Sequence, residues 1–145
     1  MGTETILLAE DDPSWQARFQ KDVLRWVQQT RPMELVIAGS IEDAVSHFRE
    51  LLEANVLNST FLDYHLRLWG NRWGHEVYRL MLQVNAEVAA QKTAAWSLLP
   101  EEEVHQGYAS ANVSCPKHVL YKGLPSQAVQ FILSHPAPGS EKEDI

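Results

Sequence analysis

Five short apolar runs alternate with stretches of helical periodicity along this chain, and that alternation is the strongest constraint on its fold. The runs cover residues 6–9, 35–38, 60–62, 93–96 and 119–121. The first two are uninterrupted apolar runs, as strands buried on both faces should be, and the others are strand candidates in the same series. The fourth is rich in Ala and takes its assignment mainly from its place in the series. After the first run, Trp15, Phe19, Val23, Trp26 and Val27 recur at steps of three or four, until Arg31-Pro32 stops the helix. Ser40 suits the N-cap of a second helix, with Ile41, Ala44, Val45, Phe48, Leu51 and Leu52 on one face. Val77, Leu80, Met81 and Val84 mark a third, Pro100 opens a short fourth ending near Ala111, and Pro125 opens a fifth. The connections are too long for hairpins. The predicted fold is therefore α/β, a doubly wound five-stranded parallel sheet with helices on both faces.

The length of 145 residues suits one domain at about 150 residues each. Residues 1–134 are expected to form it, and residues 135–145, with two prolines, a glycine and mixed charge, to be a flexible tail. Five Trp, four Tyr and four Phe exclude disorder as the main state. Cys115 is the only cysteine, which excludes a disulfide framework and a cysteine zinc site. With 12 Lys and Arg against 19 Asp and Glu, the net charge of −7 argues against a broad nucleic-acid surface. The first apolar run is four residues long and meets three acids, so neither a signal peptide nor a membrane span is read there. A cytoplasmic setting is the expectation.

In sheets of this kind the functional crevice lies beyond the carboxyl ends of the strands. Those ends carry Glu10-Asp11-Asp12, Asp63, Ser97 and Lys122. Singly, each has an ordinary role: Asp12 before Pro13 as a helix cap, a serine in a turn, a solvated lysine. Together they put several carboxylates, one hydroxyl and one ammonium on one sheet edge. Crowded carboxylates repel, and some protonate unless a cation joins them. Mg²⁺ suits one or two carboxylates with waters and a phosphate. Lys122 can pair with phosphoryl oxygens, Ser97 can donate to another, and an Asp can accept a phosphoryl group as nucleophile. Chemistry of this type is mostly placement and charge neutralisation.

The segments Ile-Leu-Leu-Ala-Glu-Asp-Asp-Pro (6–13), Phe-Leu-Asp-Tyr-His-Leu (61–66), Trp-Ser (96–97) and Leu-Tyr-Lys-Gly (120–123), in this order, resemble the receiver domain of two-component response regulators. The resemblance spans residues 4 to about 134 and implies a flavodoxin-like receiver fold. It puts the family's acid pair on Glu10 and Asp11, with Asp12 in the variable third place. It puts the phosphoacceptor on Asp63, a third protein ligand of Mg²⁺ on the backbone carbonyl of His65, the switch hydroxyl on Ser97 and the family's lysine on Lys122. The implied metal set is Glu10, Asp11, Asp63 and His65. The implied function is a stand-alone phosphoacceptor that takes its phosphoryl group from a sensor histidine kinase or a histidine phosphotransfer protein. Such a chain catalyses its own phosphorylation and dephosphorylation and is not an ordinary turnover enzyme. No output domain is expected after residue 134, so signalling is expected through contact with an output protein whose identity, like the oligomeric state, is left open. Lys122 is expected to face the phosphate site and to be partly exposed.

Four positions depart from the family pattern. Gly123 follows the lysine where proline is usual, and a trans bond is expected there. Val119 holds the place of an aromatic switch, and Leu98 follows the hydroxyl where a small residue is common. The stretch after Asp63 is long and carries Trp69 and Trp73. The glycine and the valine leave a second reading open, a docking module that keeps the fold and works without phosphate. A flavodoxin would show a hydroxyl- and glycine-rich phosphate loop where acids stand here. A haloacid-dehalogenase phosphatase would need Asp in the place of Glu10.

Trp15, Trp26 and Trp96 are read as core or half-core. Trp69 and Trp73 have two open readings, a partner surface or a fold back over the sheet edge. Arg67, Arg72 and Arg79 are expected in local salt links. His65 and His75 flank the same stretch, but no histidine pair shows helical ligand spacing with an acid partner.

Overall fold

A computed structural model describes residues 2–138. The chain runs β1 (Thr5–Ala9), α1 (Pro13–Phe19), a π-helical turn (Gln20–Leu24), α2 (Arg25–Gln28), β2 (Glu34–Ile37), α3 (Ile41–Glu53) and β3 (Leu57–Asp63). It continues through β4 (His65–Leu66), a 3₁₀ turn (Arg67–Trp69), β5 (Arg72–Trp73), α4 (Gly74–Val84), α5 (Ala86–Lys92) and β6 (Thr93–Ser97). Then come α6 (Glu101–Ser110), β7 (His118–Tyr121) and α7 (Pro125–Ser134). Five strands form one sheet in the order β2-β1-β3-β6-β7, and every pairing in it is parallel. The predicted doubly wound sheet is the observed one. Its winding reverses between β1 and β3, so the crevice expected at the switch point lies beside the ends of those two strands.

Alternation along β1 builds two cores. Leu7 and Ala9 face a cluster with Phe48, Leu62, Val77, Met81, Val104 and Tyr108, under α3, α4, α5 and α6. Ile6 and Leu8 face the other, with Phe19, Val27, Phe61, Trp96, Phe131 and Ile132, under α1, α2 and α7. Phe19 anchors this second core, edge-to-face with Phe61 at 5.1 Å and with Trp96 at 5.2 Å. Each such pair adds about 0.5–1.5 kcal/mol beyond the area it buries.

The first helix corrects one reading. Trp26 is 59% exposed, while Phe19, Val23 and Val27 are buried. With Trp15 these residues are spaced by four, and each such step overshoots an α-helical turn by about 40°. The wider turn at Gln20–Leu24 takes up that drift, keeps the row on the core and leaves Trp26 outside.

Two further elements differ from the expected five helices and one long loop. The helical stretch after β3 breaks at Asn85, whose Oδ1 accepts from Val88 N at 3.0 Å and caps α5. Only Ala89 of α5 is buried, so the helix carries no apolar stripe for periodicity to reveal. Residues 64–74 contain an antiparallel hairpin in which His65 pairs with Trp73 and Leu66 with Arg72.

Beyond α7, Arg31 Nη2 donates to the carbonyl of His135 at 2.5 Å, and the His135 ring stands edge-on to Phe131. The tail expected from residue 135 thus begins with a held residue, and its residues 139–145 lie outside the described ones. No helix among the described residues is long and apolar enough to cross a membrane.

Candidate functional site

β1 and β3 are buried along their whole length, so the first polar residues after their apolar runs emerge side by side at the sheet edge. Glu10 is fully buried there. Its carbonyl accepts from Gln16 Nε2 at 2.7 Å, and its Oε2 accepts from Asp12 N at 3.2 Å. Asp12 has the capping role, its Oδ1 accepting from Ser14 N at 2.8 Å. Oxygens of Glu10, Asp11 and Asp63 lie within 4.8 Å of one another. Lys122 follows β7, and its backbone N donates to the carbonyl of Ser97 at 2.9 Å, which ties the lysine to the end of β6. Its Nζ bridges the acids, bonded to Glu10 Oε1 and 3.0 Å from Asp63 Oδ1. Lys122 is 7% exposed, less than expected, because two carboxylates draw its ammonium inward. Ser97 is buried and its Oγ accepts from Leu99 N at 3.0 Å.

These residues surround a cleft of about 580 Å³. The hairpin closes one side of it. Leu68 N, in the 3₁₀ turn, donates to Asp11 Oδ2. α4 starts hard against the end of β3: a Cβ on Gly74 would lie 2.3 Å from the carbonyl oxygen of Asp63, so only glycine fits. Tyr64, next to Asp63, packs its hydroxyl where a side chain on Gly107 of α6 would be, at 1.6 Å. The acidic strand end is thereby clamped to two helices.

His65 lines the cleft, and its ring is engaged by the hairpin. It stacks on Trp73 at 4.3 Å and places Nε2 2.6 Å from Asn71 Oδ1. Trp73 also stacks with His75, and both Trp69 and Trp73 pack against the core while staying half-buried. Both thus fold back on the core, and each keeps a part of its surface open to solvent. Arg72 makes the local links expected, 2.9 Å to Glu76 and 3.9 Å to Glu42. Arg67 does not; it lines the cleft and has no ion-pair partner among the described residues. Arg67 and the Leu68 N–H were not legible as site groups, since their approach depends on the hairpin.

Three carboxylates against one ammonium leave the centre with excess negative charge. Burial first, and the neighbouring Asp63 second, push the Glu10 carboxyl up to about 8, with Lys122 opposing. Burial also raises Asp63, against the pull of Lys122. The centre gains from either a proton or a further cation. Three hard carboxylate oxygens at one edge, beside a cleft roomy enough for water, fit a small divalent ion.

No protein-family model matches the sequence, and no curated protein matches it. Solved structures do match its fold. The response regulator receiver domain protein (CheY-like) from Methanospirillum hungatei is 14% identical with a TM-score of 0.62, over 92% of this chain and 93% of that one. The response regulator domain of Thermotoga maritima CheB is 13% identical with a TM-score of 0.65, over 92% and 96%. A receiver domain protein from Clostridium thermocellum is 12% identical with a TM-score of 0.60, over 90% and 91%. The parallel sheet in the order β2-β1-β3-β6-β7 has the fold of these response regulator receiver domains.

Proposed function

We propose that this chain is a phosphoacceptor response regulator, with residues 1–134 as its receiver unit and Asp63 as the acceptor. The phosphoryl donor is a phosphohistidine on a histidine kinase or a histidine phosphotransfer protein. An oxygen of the Asp63 carboxylate attacks phosphorus, the P–N bond breaks, and the imidazole leaves and takes up a proton. Glu10, Asp11, Asp63 and the His65 carbonyl would hold Mg²⁺, which would supply charge neutralisation for the transferring group. Lys122 already contacts Asp63 and is placed to pair with a phosphoryl oxygen. Ser97, whose Oγ accepts from Leu99 N, would donate its hydroxyl proton to a phosphoryl oxygen. The altered surface then signals by contact with an output protein.

One observation carries this reading: a buried ammonium bridges two carboxylates whose environment raises them, at the switch point of the sheet. A purely structural pair would balance its charge, and this centre does not. The test treats the protein with a small acyl phosphate and Mg²⁺ and looks by mass spectrometry for a labile phosphoryl adduct. One adduct in wild type and none in Asp63→Asn is expected. An adduct that survives Asp63→Asn overturns the acceptor assignment, and no adduct in wild type overturns the proposal and favours docking without phosphate.

A further inference from the structure

Lys122 is held by more than its acids. Its Nζ lies 5.2 Å from the ring centroid of Trp15 and 4.9 Å from that of Trp96. The two indoles meet edge to face, centroids 5.8 Å apart and planes at 84°. They form an aromatic corner on one side of the ammonium, with Glu10 and Asp63 on the other. A cation within about 6 Å of an indole face is attracted by the negative face of the ring, more strongly where water is excluded. Trp96 is buried beside Asp63 in the β3–β6 ladder and packs on Phe19. Trp15 stands in the first turn of α1, whose N-terminus Asp12 caps. Arg18 lies over the same ring at 4.8 Å.

A lysine side chain has four rotatable bonds and loses much freedom when fixed. The carboxylates that fix it here are the groups that change charge partners when the site works. Once Asp63 carries a phosphoryl group, the ammonium must exchange its direct carboxylate contacts for one to a phosphoryl oxygen. The neutral rings keep their contact with it. We propose that Trp15 and Trp96 are positioning residues that hold the Lys122 ammonium over Asp63 independently of the carboxylates. The placement stands on geometry alone; its consequence for phosphorylation rests on the phosphoacceptor reading.

The test compares wild type, Trp15→Leu and Trp15→Phe by NMR of the lysine side chains, without phosphodonor. Protons on Cε of Lys122, set against two indoles, are expected upfield of the other lysines. Trp15→Leu is expected to lose a large part of that displacement, and Trp15→Phe, which keeps an aromatic face, to retain most of it. Trp15 is half-buried, and the amide spectrum confirms that each variant is folded. In the second arm, the initial rate of adduct formation with a small acyl phosphate and Mg²⁺ falls about tenfold in Trp15→Leu and recovers in Trp15→Phe. A Lys122 resonance that does not move in Trp15→Leu, or equal slowing in the Leu and Phe variants, overturns the proposal. If wild type takes no phosphoryl group, the phosphoacceptor reading fails, and the shifts still decide whether the corner holds the lysine.

Discussion

Two glutamates bracket β1, and their surroundings are opposite. Glu4, at the amino end, receives Arg31 through Nε at 2.9 Å and Nη2 at 2.8 Å, and Asn58 Nδ2 at 2.6 Å. Asn58 also donates to the carbonyl of Ile132, and Arg31 to that of His135, so this knot ties β1, β3 and the end of α7. Glu10, at the carboxyl end, shares one lysine with Asp63 and has Asp11 as a further acidic neighbour. One end matches a carboxylate with a guanidinium and is finished. The other leaves charge uncompensated inside the protein, which costs stability unless something arrives. A centre that requires a visitor is a site, and a centre that satisfies itself is a clasp.

The largest effect expected from breaking this contrast is on ion binding. Glu10→Gln or Asp11→Ala should weaken Mg²⁺ affinity by at least tenfold, on the order of 1.4 kcal/mol, whereas Glu4→Gln should leave it unchanged. Titration of tryptophan fluorescence reads this, since Trp15 and Trp96 both lie close to Lys122. Unchanged affinity in Asp11→Ala means that the acid cluster is not the ion site.

Stability should answer the other way round. Arg31→Ala removes a charged, bidentate partner and should cost about 2–3 kcal/mol in denaturant unfolding, while the phosphoryl adduct still forms. Glu10→Gln removes a desolvated charge and should leave the Mg²⁺-free protein as stable as wild type or more so near pH 8. A stable Arg31→Ala protein would deny the clasp.

The pH dependence follows from Glu10, raised from 4.5 to about 8. The native state binds this proton more tightly than the unfolded chain does. Its contribution to stability is therefore complete below the unfolded value and is lost as pH rises through the folded one. Mg²⁺-free protein should lose stability between about pH 4.5 and pH 8, and added Mg²⁺ should flatten the curve, most at the alkaline end. Unfolding midpoints with and without chelator check it. A stability that rises through this window contradicts the charge assignment.

The smallest effect concerns the mouth of the cleft. Leu98 and Leu99 line it and remain 49% and 40% exposed, two bulky apolar groups that hinder water there. They should slow hydrolysis of the aspartyl phosphate, so the double variant Leu98→Ala with Leu99→Ala should shorten its lifetime by roughly threefold, under 1 kcal/mol of barrier. His65 lines the same cleft, but its ring is engaged by Trp73 and Asn71, so the leucines are expected to have the larger influence. Rapid decay in wild type, or no change in the double variant, removes the leucines from any such role.

Much of this molecule was legible in residues alone, and the reason is burial. A parallel strand covered on both faces is mostly apolar as it nears the sheet edge, so residues 6–9 and 60–62 announce both the strands and the polar groups that end them. Glu10, Asp11, Asp63, Ser97 and Lys122 were visible for that reason, and the sheet topology brings them together as the alternation implied. The N-caps at Asp12 and Ser40 were visible because one side chain meets one nearby N–H. Tertiary structure decided what carries no local signature. The π turn that turns Trp26 outward follows from fitting a four-residue repeat to the sheet. The break at Asn85 separates two helices that share no apolar stripe. The hairpin after Asp63 brings the Leu68 N–H to Asp11, and a backbone donor looks the same in every sequence. The aromatic corner at Lys122 joins residues from three distant segments, because a contact across a folded sheet is set by packing geometry and not by spacing along the chain.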